Sequence, residues 1–384
     1  MSMAITAESV DEMYDVLRER LRDVVPEFEL EHKAELAWEI NRLKEERGAI
    51  ILGHNYMEPA LFHSVCDVKG DSLELARKAA ETEADPIVFC GVRFMAETAK
   101  ILNPTRTVLL PAEKAGCSLA ASITGDDVRR LKERYPGVPV VTYINTYADV
   151  KAESDVCCTS SNAARVVESL DSDTVIFIPD EYLARNVARE TGKRILVPSV
   201  GAASPLAQIS TNGGSGGNDG VGEGADAAGA EAAGDRDAGR AAAPSSPDSP
   251  DQSDGELIGW PGRCEVHEQF TVGDIENVRR QFPDVVVLAH PECSPEVVDA
   301  ADYSGSTSAM IRYVQDVEAP RYLLLTECSM GDNIVAETPD REMVRLCSVR
   351  CPHMNEITLE QTLAALREDK YVIEVPEDVR VRAL

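Results

Sequence analysis

Eight short apolar runs lie along the chain between helix-like segments: AIILG, PIVFCG, TVLLP, VPVVTYI, TVIFIP, ILVP, VVVLAH and YLLLTE. Runs this continuous, without polar alternation, are strands of a parallel sheet covered on both faces, and the intervening helices supply the covers. That is an α/β architecture. Ahead of the first run, residues up to about 45 read as two helices, the second with Leu36, Ile40 and Leu43 at helical spacing.

The runs fall into three sets. AIILG leads into His54, Asn55 and Tyr56; VVTYI into Asn145 and Thr146; VVVLA into His290, Pro291 and Glu292. Each time, 15 to 18 residues later, a hydroxyl residue opens a helical stretch: Asp71-Ser72, Thr159-Ser160, Ser306-Thr307. A further strand then ends in Cys90-Gly91, Pro179-Asp180 or Thr326-Glu327. From Gly91 to Cys117 is 26 residues, and from Thr326 to Cys351 is 25. From Pro179 to Cys264 is 85, and the excess is close to the length of residues 201–257, a stretch rich in Gly, Ala, Ser, Asp and Pro. Without aromatic residues such a stretch buries too little apolar area to offset its ordering entropy, so it reads as a disordered, solvated spacer inserted into a unit. A fixed period signals repeated structural units. The expected fold is three homologous three-layer α/β/α units with short parallel sheets, in pseudo-threefold arrangement around a central active site. The expected boundaries are an N-terminal helical segment at 1–47 and units at 48–134, 135–280 (with the insert) and 281–384.

Acidic residues outnumber basic ones 67 to 38, a net charge of −29, which argues against nucleic acid or an anionic membrane as partner. Little lysine beside so much acid suggests the salt-rich cytoplasm of a halophile, where salt screens the self-repulsion. No stretch is long and apolar enough to span a bilayer, and the acidic N-terminus lacks the basic and apolar regions of a secretory signal. The expected location is cytoplasmic, where ten cysteines are not needed for disulfides.

Cys117, Cys264 and Cys351 hold the same position in each unit. If the units close around an axis, the three sulfurs meet. Three thiolates without a fourth partner suit an iron–sulfur cluster with one open iron, and equally a three-ligand catalytic zinc. Cys66, Cys90, Cys293, Cys328 and the pair Cys157-Cys158 are expected to pack as small hydrophobes, and Cys347 is given no role. Ser72, Ser160, Ser306 and Thr307 are expected at helix starts, as N-caps that also make anion sites. His54, Tyr56, Tyr143, Asn145, His290 and Glu292, at strand ends, form a candidate acid–base and orienting set.

Several ordered stretches carry a resemblance: GHNYMEP (53–59), GDSLELA (70–76), CGVRFMAETAKIL (90–102), LLPAEKAGCSLA (109–120), VTYINTYADVKAESDVCCTSSNA (141–163), WPGRCEVHEQF (260–270), AHPECSPEVVDAADYSGSTSAMI (289–311), TECSMGDNI (326–334) and CPHMNEITLE (351–360). From about residue 35 to 375, insert excluded, the chain resembles the quinolinate synthase A protein family. The resemblance implies an enzyme of NAD biosynthesis that condenses iminoaspartate with dihydroxyacetone phosphate to quinolinate, losing phosphate and two waters. It implies a [4Fe-4S] cluster on Cys117, Cys264 and Cys351, with the open iron as Lewis acid. It places substrate-binding positions at His54, Tyr56, Ser72, Tyr143, Asn145, Ser160, His290, Glu292 and Thr307. Among these, Tyr56, Glu292, His54 and His290 are the candidates for proton transfer. His267 lies beside a ligand and supports it. The resemblance also implies coupling to an L-aspartate oxidase or dehydrogenase. The chain departs from the family in the insert before Cys264 and in having only Cys347 and Cys351 where some relatives carry a cysteine triplet. Two other chemistries fit the residues: a zinc-dependent lyase or aldolase on the same three thiolates, and a non-enzymatic sugar-phosphate-binding protein.

Overall fold

A computed structural model describes residues 6–196, 256–346 and 349–384. Nearly all of the expected insert, and Cys347, lie outside them.

Helices α1 (Val10–Leu21) and α2 (Glu27–Arg47) come first. The first unit runs β1 (Ile50–His54), α3 (Pro59–Ser64), β2 (Val68–Gly70), α4 (Ser72–Glu81), β3 (Ile87–Cys90), α5 (Arg93–Leu102), β4 (Val108–Leu109), α6 (Ser118–Ala121) and α7 (Gly125–Arg134). The second runs β5 (Val140–Tyr143), α8 (Ala148–Glu153), β6 (Val156–Cys158), α9 (Ala163–Glu168), β7 (Thr174–Ile178), α10 (Glu181–Thr191), β8 (Arg194–Leu196), β9 (Glu256–Gly259), a 3-10 turn (His267–Gln269) and α11 (Val272–Gln281). The third runs β10 (Val285–Ala289), α12 (Pro295–Ala300), β11 (Tyr303–Ser304), α13 (Thr307–Asp316), β12 (Arg321–Leu325), α14 (Cys328–Glu337), β13 (Glu342–Val344), a 3-10 turn (Met354–Glu356) and α15 (Leu359–Glu368), followed by α16 (Glu377–Ala383).

Three separate parallel sheets result, ordered β2-β1-β3-β4, β6-β5-β7-β9-β8 and β11-β10-β12-β13, each flanked by helices. All eight expected strands form. The short edge strands β2, β6 and β11 were not apparent as apolar runs, because each is only two or three residues long and paired along one side only.

The same polar bonds recur in each unit. Asp67, Asp155 and Asp302 accept the backbone N–H of Ile51, Val140 and Val287, each at 2.8 Å, and so tie the edge strand to the central one. A base 23 residues before each of them, Lys44, Lys132 or Arg279, pairs with the same carboxylate at 2.8, 2.9 and 3.0 Å. Lys44 sits in α2, so α2 stands to the first sheet as α7 and α11 stand to the second and third. The buried stripe of α2 is Leu30, Ala34, Ala37, Ile40 and Lys44, while Leu36 and Leu43 are only partly buried. The expected face was partly rotated: Ile40 meets the core as expected, with Leu30, Ala34 and Ala37 rather than Leu36 and Leu43.

The insert also needs correction. From the end of β3 to the start of β4 is 18 residues, and from β12 to β13 is 17, but from β7 to β9 is 78. Ahead of the expected insert, β8 follows α10 as an added fifth strand, and the expected start at residue 201 lies outside the described residues. The extra chain ends before β9 at Glu256, inside the stretch expected to be disordered through 257. β9 takes the place beside β7 that β4 takes beside β3.

Candidate active site

The three cysteines stand on loops with the same local structure. The carbonyls of Cys117, Cys264 and Cys351 accept the N–H of Ala121, Glu268 and Asn355, each at 3.0 Å, so that each loop turns at once into a helical turn. Seven residues after each cysteine, Thr124, Thr271 and Thr358 cap the next helix. Two residues before each, the carbonyls of Ala115, Gly262 and Val349 accept the N–H of Arg93, Glu181 and Cys328, at 2.8, 2.8 and 3.1 Å. This bond pins every cysteine loop to the start of the helix that follows its sheet's third strand. At Gly262 the approach is close enough that a Cβ would meet the Pro179 carbonyl oxygen at 2.5 Å.

Burial pushes the Cys117 thiol up to about 12 and the Cys351 thiol up to about 11, and it holds Cys264 well above its ordinary value. Opposing it, the backbone N–H groups of Leu119 and Ala120, Val266 and His267, and His353 and Met354 pull the three thiols down. The same i+2 and i+3 donors thus serve all three thiols. These N–H groups favour the thiolate, yet burial keeps the bare thiol protonated. Binding a cationic group there releases protons and resolves the conflict.

Among the described residues, the group of three ligand atoms lying within 4.8 Å of one another is Cys264, His267 and Glu292. The three cysteine sulfurs are not drawn that close together. Around one tetrahedral zinc they would lie about 3.8 Å apart, from Zn–S bonds of ~2.3 Å. A group that bridges three separated thiolates therefore fits this donor set better than one ion does.

All three cysteines open on one cavity, whose space is about 720 Å³ including its solvent-filled mouth. The other expected residues line the same cavity: His54, Tyr56 and Ser72 from the first unit, Tyr143, Asn145 and Ser160 from the second, His290, Glu292 and Thr307 from the third. Among the described residues, neither lysine nor arginine lines it. An anion entering here meets hydroxyls, imidazoles and helix N-termini instead.

The strand-end residues are equivalent in threes. His54, Tyr143 and His290 occupy one position, and Tyr56, Asn145 and Glu292 the position two residues on. His54 Nδ1 accepts the N–H of Tyr56 at 3.2 Å, and His290 Nδ1 accepts that of Glu292 at 3.3 Å. Both imidazoles therefore carry their proton on Nε2, the nitrogen left for other partners. In His290 that nitrogen lies 3.5 Å from Ser160 Oγ. Burial lowers His54 to about 4, against the pull of Glu292 and Glu74, and lowers His290 to about 3. Both are neutral donors at neutral pH.

Glu292 is the hub. Tyr143 OH donates to its Oε1 at 2.5 Å and Asn145 Nδ2 at 3.3 Å, while His267 Nδ1 stands 2.8 Å from Oε2. Burial disfavours its charge, but His267, His290 and Tyr143 outweigh burial and hold the carboxyl well below its usual range. His267 also lies 3.2 Å from Cys264 Sγ, stacks on His290 and reaches Thr326 Oγ1 at 2.9 Å. Thr326 joins that histidine to Tyr56, whose hydroxyl is 2.6 Å away. Burial and the Glu292 charge hold both Tyr56 and Tyr143 well above their ordinary values, so both are proton donors.

Thr326 was missed as a site residue because it reads as the tail of an apolar strand. The expected N-caps were partly misplaced. Asp71 and Ser306 cap α4 and α13, leaving Ser72 and Thr307 as first helical residues, and Asn55 Nδ2 donates to Thr307 Oγ1 at 2.9 Å. In the second unit Asn162 is the N-cap of α9, so Ser160 stands two residues outside any helix. Of the remaining cysteines, Cys66, Cys90, Cys158 and Cys293 are buried, Cys328 is half-buried and Cys157 is exposed on edge strand β6. Among the described residues, no helix is long and apolar enough to cross a membrane.

Residues 38–384 match the family model of NadA, quinolinate synthetase A protein. A quinolinate synthase of Sinorhizobium fredii is 48% identical over 350 residues, covering 91% of this chain and 80% of its own. Quinolinate synthase 2 of Mesorhizobium japonicum is 46% identical over 367 residues, covering 96% and 94%. A quinolinate synthase of Xylella fastidiosa is 46% identical over 344 residues, covering 90% and 82%.

Proposed function

This chain belongs to the quinolinate synthetase A family and is a quinolinate synthase of NAD biosynthesis; from that premise we propose how its residues divide the work. The substrates are iminoaspartate and dihydroxyacetone phosphate, and quinolinate forms with release of phosphate and two waters. A non-enzymatic ligand-binding role is set aside by the family.

Cys117, Cys264 and Cys351 hold a [4Fe-4S] cluster. The observation that carries this is the same loop, with the same backbone bonds, presenting one cysteine from each unit to a single cavity. When bound, the cluster supplies a Lewis-acidic iron with no protein ligand, open to a hydroxyl or carboxylate oxygen. Ser72 and Thr307, on the first turns of α4 and α13, and Ser160, ahead of α9, receive the phosphate and carboxylates. The Nε2–H groups of His54 and His290 hold carbonyl or carboxylate oxygens, since both rings are neutral donors. Glu292, ionised and gripped by Tyr143 and Asn145, accepts the protons lost in tautomerisation. Tyr56, connected through Thr326 to His267, delivers a proton to a leaving hydroxyl. The enzyme works in the cytoplasm, and an L-aspartate oxidase or dehydrogenase supplies the iminoaspartate.

A second reading rests on the short spacing of Cys264, His267 and Glu292, which suits a single zinc ion. Iron, acid-labile sulfide and zinc, measured per chain on protein purified without oxygen, separate the two. About four iron and four sulfide with quinolinate formed from the two substrates supports the cluster. One zinc and no sulfide in an active protein overturns it.

A further inference from the structure

Two residues past the equivalent His54, Tyr143 and His290, the three strand-end loops send Tyr56, Asn145 and Glu292 to the cavity from a backbone that belongs to no helix or strand. In each loop, one buried or half-buried donor grips both carbonyls that flank that residue. Asn333 Nδ2 donates to Asn55 O at 3.1 Å and to Met57 O at 2.9 Å. Asn186 Nδ2 donates to Pro291 O at 2.8 Å and to Cys293 O at 3.1 Å. Lys151 Nζ donates to Ile144 O at 2.9 Å and to Thr146 O.

Satisfying a buried carbonyl is ordinary. Gripping the same pair of carbonyls in three loops is not explained by that need alone. Asn186 and Asn333 are each the sixth residue of the helix after a third strand, α10 and α14, and each reaches into the next unit of the ring. The second unit grips the third, and the third grips the first. In α5 the sixth residue is Thr98, whose hydroxyl is used on Phe94 O at 2.8 Å. Its neighbour Glu97 still reaches the second unit, accepting the N–H of Ala148 at 2.8 Å, and Lys151 three residues further on supplies the grip. The carbonyl of the residue before belongs to the peptide plane that precedes the Cα, and the carbonyl of the residue after to the plane one Cα further on, so the two bonds pin both ends of the short segment that carries the side chain and limit its direction. Carbonyls only accept, so each amide must present its NH2.

We propose that Asn186, Asn333 and Lys151 are positioning residues that aim Glu292, Tyr56 and Asn145 into the cavity. The inference rests on the reading of Glu292 as a proton acceptor, and its test keeps the two apart. Asn186→Leu removes both donors at a half-buried position. Asn186→Asp keeps the shape but sets an oxygen against the two carbonyls. Both should lower kcat, Leu about 10- to 100-fold and Asp further, as misplacement by ~1 Å does. KM should stay within about threefold, and iron per chain and melting temperature should stay near those of the parent. Combined with Glu292→Gln, Asn186→Leu should cost nothing more, because both act through one carboxylate. Normal turnover per cluster in Asn186→Asp, with Glu292→Gln inactive, overturns the clamp alone. So does a loss that only follows falling cluster content. Normal turnover in Glu292→Gln overturns the site reading and the clamp with it. If Asn186→Leu does not fold, Asn333→Ser with Tyr56→Phe runs the same cycle and decides in the same way.

Discussion

The cysteine loops and the strand-end loops come from the same three units, yet they treat the repeat in opposite ways. At the cysteines the residue repeats, and with it the helical turn its carbonyl opens, the threonine seven residues on and the backbone bond two residues before. At the strand ends the backbone repeats and the side chains do not, giving His and Tyr, Tyr and Asn, His and Glu. A centre held by three like ligands wants symmetry. A reaction that joins two different molecules wants a different group on each side. The fold supplies both by repeating the frame and varying what is mounted on it.

If the cysteine loops are equivalent, Cys117→Ser, Cys264→Ser and Cys351→Ser should each remove most of the iron and nearly all turnover. One variant that kept its iron would break the symmetry, and iron analysis of the three side by side reads it directly. Strand-end substitutions should instead spare the cluster and differ from one another. Glu292→Gln should lower kcat by about 10² to 10⁴, the range of a lost proton acceptor, with iron per chain unchanged. Tyr143→Phe, which removes one of several partners of that carboxylate, should cost less in the same steady-state assay. Gly262→Ala tests the one cysteine loop that differs in packing. Its Cβ would press on Pro179 O, so it should destabilise by about 1–3 kcal/mol and lower iron retention during thermal melting, more than Thr124→Ala or Thr358→Ala, each worth about 1 kcal/mol as a lost cap. Deleting residues 205–254 should change least, leaving iron content and turnover near those of the parent. Loss of iron on that deletion would show that the second cysteine loop needs the extra chain.

The apolar runs made the sheets legible, since strands buried on both faces leave no other pattern. The period was legible in the cysteines and strand ends, but finer marks were overlooked. The base–acid spacing of 23 residues and the threonine seven residues after each cysteine are as regular as any of them. Charged pairs and caps are common enough in any sequence that neither mark stands out before the sheets are known. The side of α2 that meets the core was legible at Ile40 only, because close helix packing there uses the small Ala34 and Ala37 in place of Leu36 and Leu43. Thr326 and Asn186 were invisible for another reason. Their partners lie 59 or more residues away, in units that only the closed ring brings together.

That ring has an order in time. A chain made from its N-terminus presents the Tyr56 loop early, but the side chain that grips it, Asn333, is 278 residues further along than Asn55. At ribosomal speeds of ~5–20 residues per second, roughly a quarter of a minute to a minute separates the two. The first loop to leave the ribosome is secured by the last unit to follow it, so the complete cavity is a property of the finished chain.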